Sequence, residues 1–452
     1  MTSASRPVST FMTVTIFLLY SAVSTAATLL PEEDIKLTPA GAEQRGNGRD
    51  IPDWQGGLAK SSATSGNHEQ LADPYAQETP ILHISSSNMK QHQARLTPGQ
   101  QQLLTQNPDW YLPVYPSHRS ASYPDFVYQA LARNDQHAQL LRFGSGISNA
   151  SVSSPFPTPA NGMEAIWNHI LRYRGNSSRY SSQGSLVEPD GQISSTLYDY
   201  EIFFPYTQQM QSANKAGLAF MLTRYTRQPA SRAGVTTLMH ESLDLINSPR
   251  KTWLSLPGEN NLRRTADIAY DTIDPDTDGL RTIDQVDMYN GAPNQYDWVL
   301  IGKQELYIPY NAYALNNAPD KWQNVLQARH LNPELLRYEA HRVWVVDAHL
   351  RKGISHRHSR RRFYLDEDSW SIVYAEEYNT NDQLVQLLEA HTLNFHDQPL
   401  VLSTLEVTYD FSSARYYAEG LSQADKTIQF GDPTLDDAYF SSSRVRRRLM
   451  QP

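Results

Sequence analysis

The sequence predicts an α+β protein built on an antiparallel sheet. Two observations carry that expectation. The first third of the chain spaces its apolar residues at helical intervals, and after residue 195 the spacing changes to two. Strands that alternate apolar and polar positions bury one face, which suits an antiparallel sheet better than a doubly wound parallel one. Helices first and strands afterwards is the segregated order of α+β domains.

The elements follow in order. Arg6, an apolar run from Phe11 to Val23 and the small residues Ser24, Thr25, Ala26 and Ala27 read as a signal peptide over 1–27, with Ser24 and Ala26 at the −3 and −1 positions. The run is about 13 residues, short of the ~20 that a spanning helix needs. No later run comes nearer, so the expectation is an exported, soluble protein. Residues 28–80 read as an extended arm rich in Gly, Pro, Ser and Asn, pinned by Trp54 and Leu58. Thr97-Pro98-Gly99-Gln100 is a capping box with Pro at the first helical position, opening a helix to about Gln106. A second helix is expected from Asp125 to about Arg142. Arm and helices form a region 28–150 wrapped on a core of 151–452.

The most specific stretch is PFPTPANGMEAIWNHILRYR at 155–174. Met163, Ile166, Trp167, Ile170 and Leu171 fall on one helical stripe. Asn161 is a natural N-cap and Gly175 stands at the expected C′ position. Such a helix packs on a sheet, or it also lids a cavity; Trp167 is buried in either case. Five strands are then expected. Tyr198, Tyr200, Ile202, Phe204 and Tyr206 mark the first, and Phe220 and Leu222 the second. Tyr338, Ala340, Trp344, Val346 and Ala348 mark the third, and Trp370, Ile372 and Tyr374 the fourth. Val401, Leu405, Val407, Tyr409 and Phe411 mark the fifth, and a C-terminal helix is expected over Thr434–Leu449.

Several segments resemble a family of bacterial periplasmic proteins of unknown function that are similar to outer-membrane lipoprotein-sorting proteins. They are LTPAGAEQRGN (37–47), IPDWQGGL (51–58), LPVYPSHRSASYPDFVYQA (112–130), the helix above, DGLRTIDQVDMYNGAPNQYDW (278–298) and FYLDEDSWSIVYAEEY (363–378). IWNH (166–169), RYRG (172–175) and DEDSW (366–370) match the family pattern most closely. The resemblance implies a LolA/LolB-like fold, an antiparallel sheet curled into an incomplete barrel with packed helices. It also implies an outer-membrane protein or an exporter of hydrophobic compounds as the class of partner. Where relatives carry a basic segment, this chain keeps only Arg263 and Arg264.

Composition narrows the chemistry. There is no cysteine, which excludes disulfides, thiolate nucleophiles and cysteine-ligated metals. The net charge of −9 argues against a nucleic-acid partner. No nucleophile elbow, phosphate loop or dinucleotide fingerprint is present, so no cofactor is expected. His240-Glu241-Ser242-Leu243-Asp244 lacks the second histidine of a zinc-protease motif. Asp274, Asp276 and Asp278 have the spacing that opens a calcium loop, but Gln285 stands where a bidentate Glu belongs. His356, His358 and the arginines around them read as a solvated basic turn, with Arg360 and Arg361, like Arg263 and Arg264, as candidates for an anionic group. Asp366, Glu367 and Asp368 read as a hairpin turn.

The expected function is a soluble periplasmic carrier or chaperone for a lipid or other hydrophobic molecule. The candidate cavity residues are Trp167 on the helix, and Tyr200, Ile202, Phe204, Phe220 and Leu222 on the first two strands. Trp344, Val346, Trp370, Ile372, Leu405 and Val407 come from the other three. A periplasmic hydrolase with a scattered site and a ligand-free envelope scaffold stay open as alternatives.

Overall fold

A computed structural model describes Met1 and residues 35–60, 71–208, 217–259, 261–265, 270–318, 321–420 and 428–450. Apart from Met1, the expected signal peptide lies outside the described residues. In the first third, β1 (Leu82–Ser85), α1 (Pro98–Gln106), β2 (Tyr111–Val114) and α2 (Asp125–His137) precede a two-residue hairpin, β3 (Gln139–Leu140) and β4 (Ile147–Ser148), and then α3 (Gly162–Leu171). A run of strands follows: β5 (Ser177–Val187), β6 (Ile193–Phe203), β7 (Leu218–Gln228), β8 (Thr236–Ser242), β9 (Lys251–Ser255), β10 (Arg263–Arg264) and β11 (Tyr296–Pro309). Short helices α4 (Tyr313–Asn317) and α5 (Lys321–Val325) lead into β12 (Tyr338–Leu350), β13 (Arg360–Asp366), β14 (Ile372–Tyr378), β15 (Leu384–Phe395), β16 (Leu400–Asp410), β17 (Tyr416–Gly420), β18 (Gln429–Phe430) and α6 (Ser442–Leu449).

All strands except the β3–β4 pair join one sheet, in the order β1-β2-β12-β13-β14-β15-β16-β17-β5-β6-β7-β8-β9-β10, with β11 on β12 and β18 on β5. Among the described residues every strand pairing is antiparallel except a parallel bridge between Tyr338 and Val114. The sheet is therefore mixed in the strict sense, and it is not closed into a barrel: its path ends at β1 and β10.

Both faces of the middle strands are covered. Val345, Tyr364 and Leu387 belong to one core, and their chain neighbours Val346, Leu365 and Leu388 to another. Successive strand residues point to opposite faces, so the two cores lie on opposite sides of the sheet. The first receives Leu103 and Leu104 of α1 with Leu315 and Val325 of the short helices. The second receives Ala165, Ile166, Trp167, Ile170 and Leu171 of α3. Each fully buried large apolar side chain contributes about 1.5–3 kcal/mol, so α3 is held by packing rather than by helix propensity. Its cap is the expected one: the Asn161 side chain accepts from the Glu164 backbone N–H at 3.0 Å. The α1 capping box is also formed.

Some expectations need correction. The change of period comes earlier than residue 195, because β5 begins at Ser177 with the serine-rich run SSRYSSQGSLV. α2 stops at His137 and the C-terminal helix starts only at Ser442. α3 ends at Leu171, so Gly175, although at φ +83°, is no helix C′ residue. Trp370, Ile372 and Tyr374 do not share a face: Trp370 closes a turn at φ +59°, and a bulge puts Ile372 and Tyr374 in different cores. The expected solvated basic turn is only partly so: Lys352 and Arg357 are exposed, but His356 at 8%, His358 at 2% and Arg361 at 0% exposure are buried. Part of the expected arm is buried too. Thr38, Ala40 and Ala42 are covered, and a side chain at Gly41 (φ +87°) would strike the Pro157 carbonyl.

Candidate ligand face and buried charge clusters

Eleven of the twelve cavity candidates separate into three groups, and Tyr200 stands apart among the polar groups described below. Trp167, Phe204, Phe220, Val346, Trp370 and Ile372 are buried in the α3-side core. Trp167 donates its indole N–H to the Gly144 carbonyl at 3.1 Å, and Trp370 donates to the Ala40 carbonyl at 2.9 Å. Leu405 and Val407 are buried in the opposite core. Ile202, Leu222 and Trp344 border the α3-side core and keep accessible surface. No single cavity collects all of them.

The border has a definite geometry. Ile202 of β6 faces Leu222 of β7, and Leu222 faces Met239 of β8. All three are apolar, packed on the α3-side core and only half-buried. The reverse of the same strands is closed by Phe203, Met221 and Leu238 against Phe440 and Val445 of the C-terminal segment. Met239 was not legible as a candidate, because β8 reads TTLMHES with little apolar contrast.

A polar belt begins one row further along. Tyr180 stacks on Tyr200 at 5.1 Å, and the Tyr200 hydroxyl donates to Glu419 at 2.7 Å. Arg281 bridges Glu419 (2.5 Å) and Asp274 (2.8 Å). Glu406 stands opposite Glu419 across the strands, and burial together with the Asp287 charge pushes its carboxyl up to about 7. Arg172 and Arg174 both engage Asp287 at 2.5 Å. Beside them, His169 of α3 donates from Nε2 to the Asp287 carbonyl (2.8 Å) and accepts at Nδ1 from the Ile372 N–H (3.1 Å). That pair of bonds suits the neutral ring, and burial with the nearby Arg172 charge lowers its pKa to about 3.

Most of the other sequence candidates have partners within the protein. Asp274 pairs with Arg281, Asp276 with Arg224 and Arg232, and Asp278 with Arg415, so the three carboxylates are drawn to different arginines. Arg361 lies between Glu377 (2.7 Å) and Asp284 (2.5 Å). Arg360 lies over the Tyr378 ring and pairs with Asp382. Arg263, on the edge strand β10, is exposed and pairs with Glu259; Arg264 is exposed beside it.

The DEDSW turn holds a second cluster. Asp366, Glu367 and Asp368 are at most 4% exposed. Arg119 grips both Asp368 oxygens, donating from Nε at 2.8 Å and from one terminal nitrogen at 2.6 Å. Glu367 meets Lys303, Arg342 and Arg119. His341, Asp366 and Asp368 each offer a donor atom, and these atoms lie within 4.8 Å of one another, the set among the described residues that could hold a metal. Burial and the Asp368 charge push the Asp366 carboxyl up to about 7.

The model of the family described as "Protein of unknown function (DUF1329)" matches residues 83–446. The chain belongs to the DUF1329 family. An uncharacterized protein of Pseudomonas aeruginosa is 38% identical over 414 residues, covering 91% of each chain. Among solved structures, a DUF1329 family protein from Desulfovibrio piger is similar at TM-score 0.41 and 15% identity, covering 60% of this chain and 91% of that one. A putative outer membrane lipoprotein-sorting protein domain from Vibrio parahaemolyticus gives 0.41 and 12%, covering 60% and 92%. A LolA superfamily protein from Nitrosomonas europaea gives 0.37 and 13%, covering 63% and 98%. No helix among the described residues of this DUF1329 protein is long and apolar enough to cross a membrane.

Proposed function

We propose that this DUF1329 protein is a periplasmic carrier or chaperone for a lipid or other hydrophobic molecule, exported by the segment 1–27 and serving transport at the outer membrane. The observation that carries the reading is the row Ile202–Leu222–Met239. Three cross-strand apolar side chains keep accessible surface on one sheet face while the reverse face is sealed by the C-terminal segment. A row of apolar side chains that stay accessible beside polar groups is the kind of surface a hydrophobic ligand uses. Tyr180, Tyr200 and Glu419 supply such a border.

A fluorescent apolar probe, N-phenyl-1-naphthylamine, tests it. The native protein should enhance probe emission, lipids should displace the probe, and Leu222→Glu should weaken binding while the fold survives. A second opening of about 490 Å³, lined in part by Ile51, Leu82, Val114 and Tyr307, is the control position. If Leu82→Glu and not Leu222→Glu abolishes binding, the row is not the site. A native protein that never enhances the probe removes the carrier reading and favours a scaffold.

A further inference from the structure

We propose that His341, Asp366 and Asp368 bind one divalent transition-metal cation, and that this cation locks the segment around Glu43 onto the sheet. The site is assembled from two strands and a turn. His341 lies in β12, Asp366 ends β13, and Asp368 lies in the turn that follows. The three donor atoms fall within 4.8 Å of one another, and the residues are 1%, 0% and 4% exposed. Ligand atoms about 2.0–2.2 Å from a four-coordinate zinc-type ion sit roughly 3.4 Å apart, so binding draws the donor atoms together by up to about 1.4 Å.

The second observation is an oxygen without a partner. Among the described residues Asp366 Oδ1 is buried and accepts no hydrogen bond, while the rest of the carboxylate takes the Ser369 hydroxyl on Oδ2 at 2.6 Å and lies by the Asp368 backbone N–H. The carboxylates around it are each matched by a cation: Asp368 by Arg119, Glu367 by Lys303 and Arg342, Glu339 by Arg337, and Glu43 by Lys303. Asp366 has no such ion pair among the described residues. A bare buried carboxylate oxygen beside an imidazole is the arrangement a cation relieves. One imidazole nitrogen with two carboxylate oxygens suits zinc or manganese better than calcium, which takes oxygen ligands alone.

The surroundings would orient the ligands. The Tyr310 ring lies 4.0 Å from the His341 ring, and Glu339 Oε2 is 3.4 Å from its Nε2. Arg119 holds Asp368, whose oxygens keep lone pairs for a second contact. The same arginines reach the N-terminal segment. Arg119 donates to the Glu43 carbonyl at 2.8 Å and Arg342 to the Arg45 carbonyl at 2.9 Å. A cation that fixed the turn would thereby fix residues 38–45.

Because the site is buried, the metal enters during folding. The full chain should be unfolded in guanidinium with a chelator, then refolded with Zn²⁺, Mn²⁺, Ca²⁺ or no metal. Native mass spectrometry should find one Zn²⁺ or Mn²⁺ per chain, with a raised Tm and stronger hydrogen-exchange protection over residues 38–45. Asp366→Asn and His341→Gln should each weaken retention by about tenfold or more. Wild type that refolds to the same Tm and retains no metal overturns the proposal. So does retention of Ca²⁺ alone, or an Asp366→Asn protein that holds metal as tightly as wild type. Should a variant fail to fold, the wild-type stoichiometry decides.

Discussion

Two stretches of one sheet are finished differently. Over β13–β15 both faces are closed, and the α3 side is filled by Trp167, Ile170, Phe363 and Ile372. Over β6–β8 only the reverse face is closed, and Ile202, Leu222 and Met239 keep accessible surface. In both stretches some strands, β6 and β7 in one and β14 in the other, read as apolar alternation. The difference is what packs on them, and it separates residues that hold the fold from residues that can meet a ligand.

The comparison can be broken most forcefully at Trp167. Its ring is 1% exposed at the centre of the closed region. Trp167→Ala should cost about 3–5 kcal/mol in urea unfolding and leave probe affinity unchanged in the protein that stays folded. A large change in affinity at constant stability would make α3 a lid instead. Arg361 tests the closed region's polar edge. Arg361→Met leaves Asp284 and Glu377 buried without their cation and should cost about 3–5 kcal/mol. A loss below about 1 kcal/mol would mean that water reaches this edge.

His169 sharpens the comparison through pH. Its folded pKa of about 3 lies below the unfolded value near 6.5, so the unfolded chain takes up the proton first. The contribution is therefore complete above pH 6.5 and is lost as pH falls towards 3. Between pH 7 and pH 5 this amounts to about 2 kcal/mol. The urea midpoint of wild type should drop over that interval more steeply than that of His169→Gln; parallel curves would refute the neutral buried ring. At the open row, Leu222→Ala should cost only about 1 kcal/mol, because the side chain is half-buried, yet should weaken probe binding several-fold. Equal probe affinity would close the row as a site. Smallest of all, Arg360→Ala removes a pair whose aspartate is 69% exposed and should change stability by less than about 1 kcal/mol.

The legible part of the protein is the part whose apolar spacing is its own explanation. α1 and α3 begin where their caps predicted, and β6, β7, β12 and β16 lie close to where the alternation placed them, with Phe204, Tyr206 and Phe411 just beyond the strand ends. β5 and β8 were hidden because Ser181, Ser182 and Ser185, or Thr236 and Glu241, are buried by hydrogen bonds and charges rather than by apolar burial. Met239 of the open row was hidden with β8.

What the sequence determined alone was local: a helix stripe, its caps, alternating strands and the absence of thiol chemistry. Tertiary structure decided which charges are inside. Arg361, His356, Asp366 and Asp368 look like solvent residues in one dimension, since nothing local compensates their burial. They are buried because Asp284, Glu377, His341 and Arg119 arrive from distant parts of the chain. Likewise, whether Leu222 is a core residue or a contact for a ligand depends on what covers its face, and only the assembled sheet specifies that.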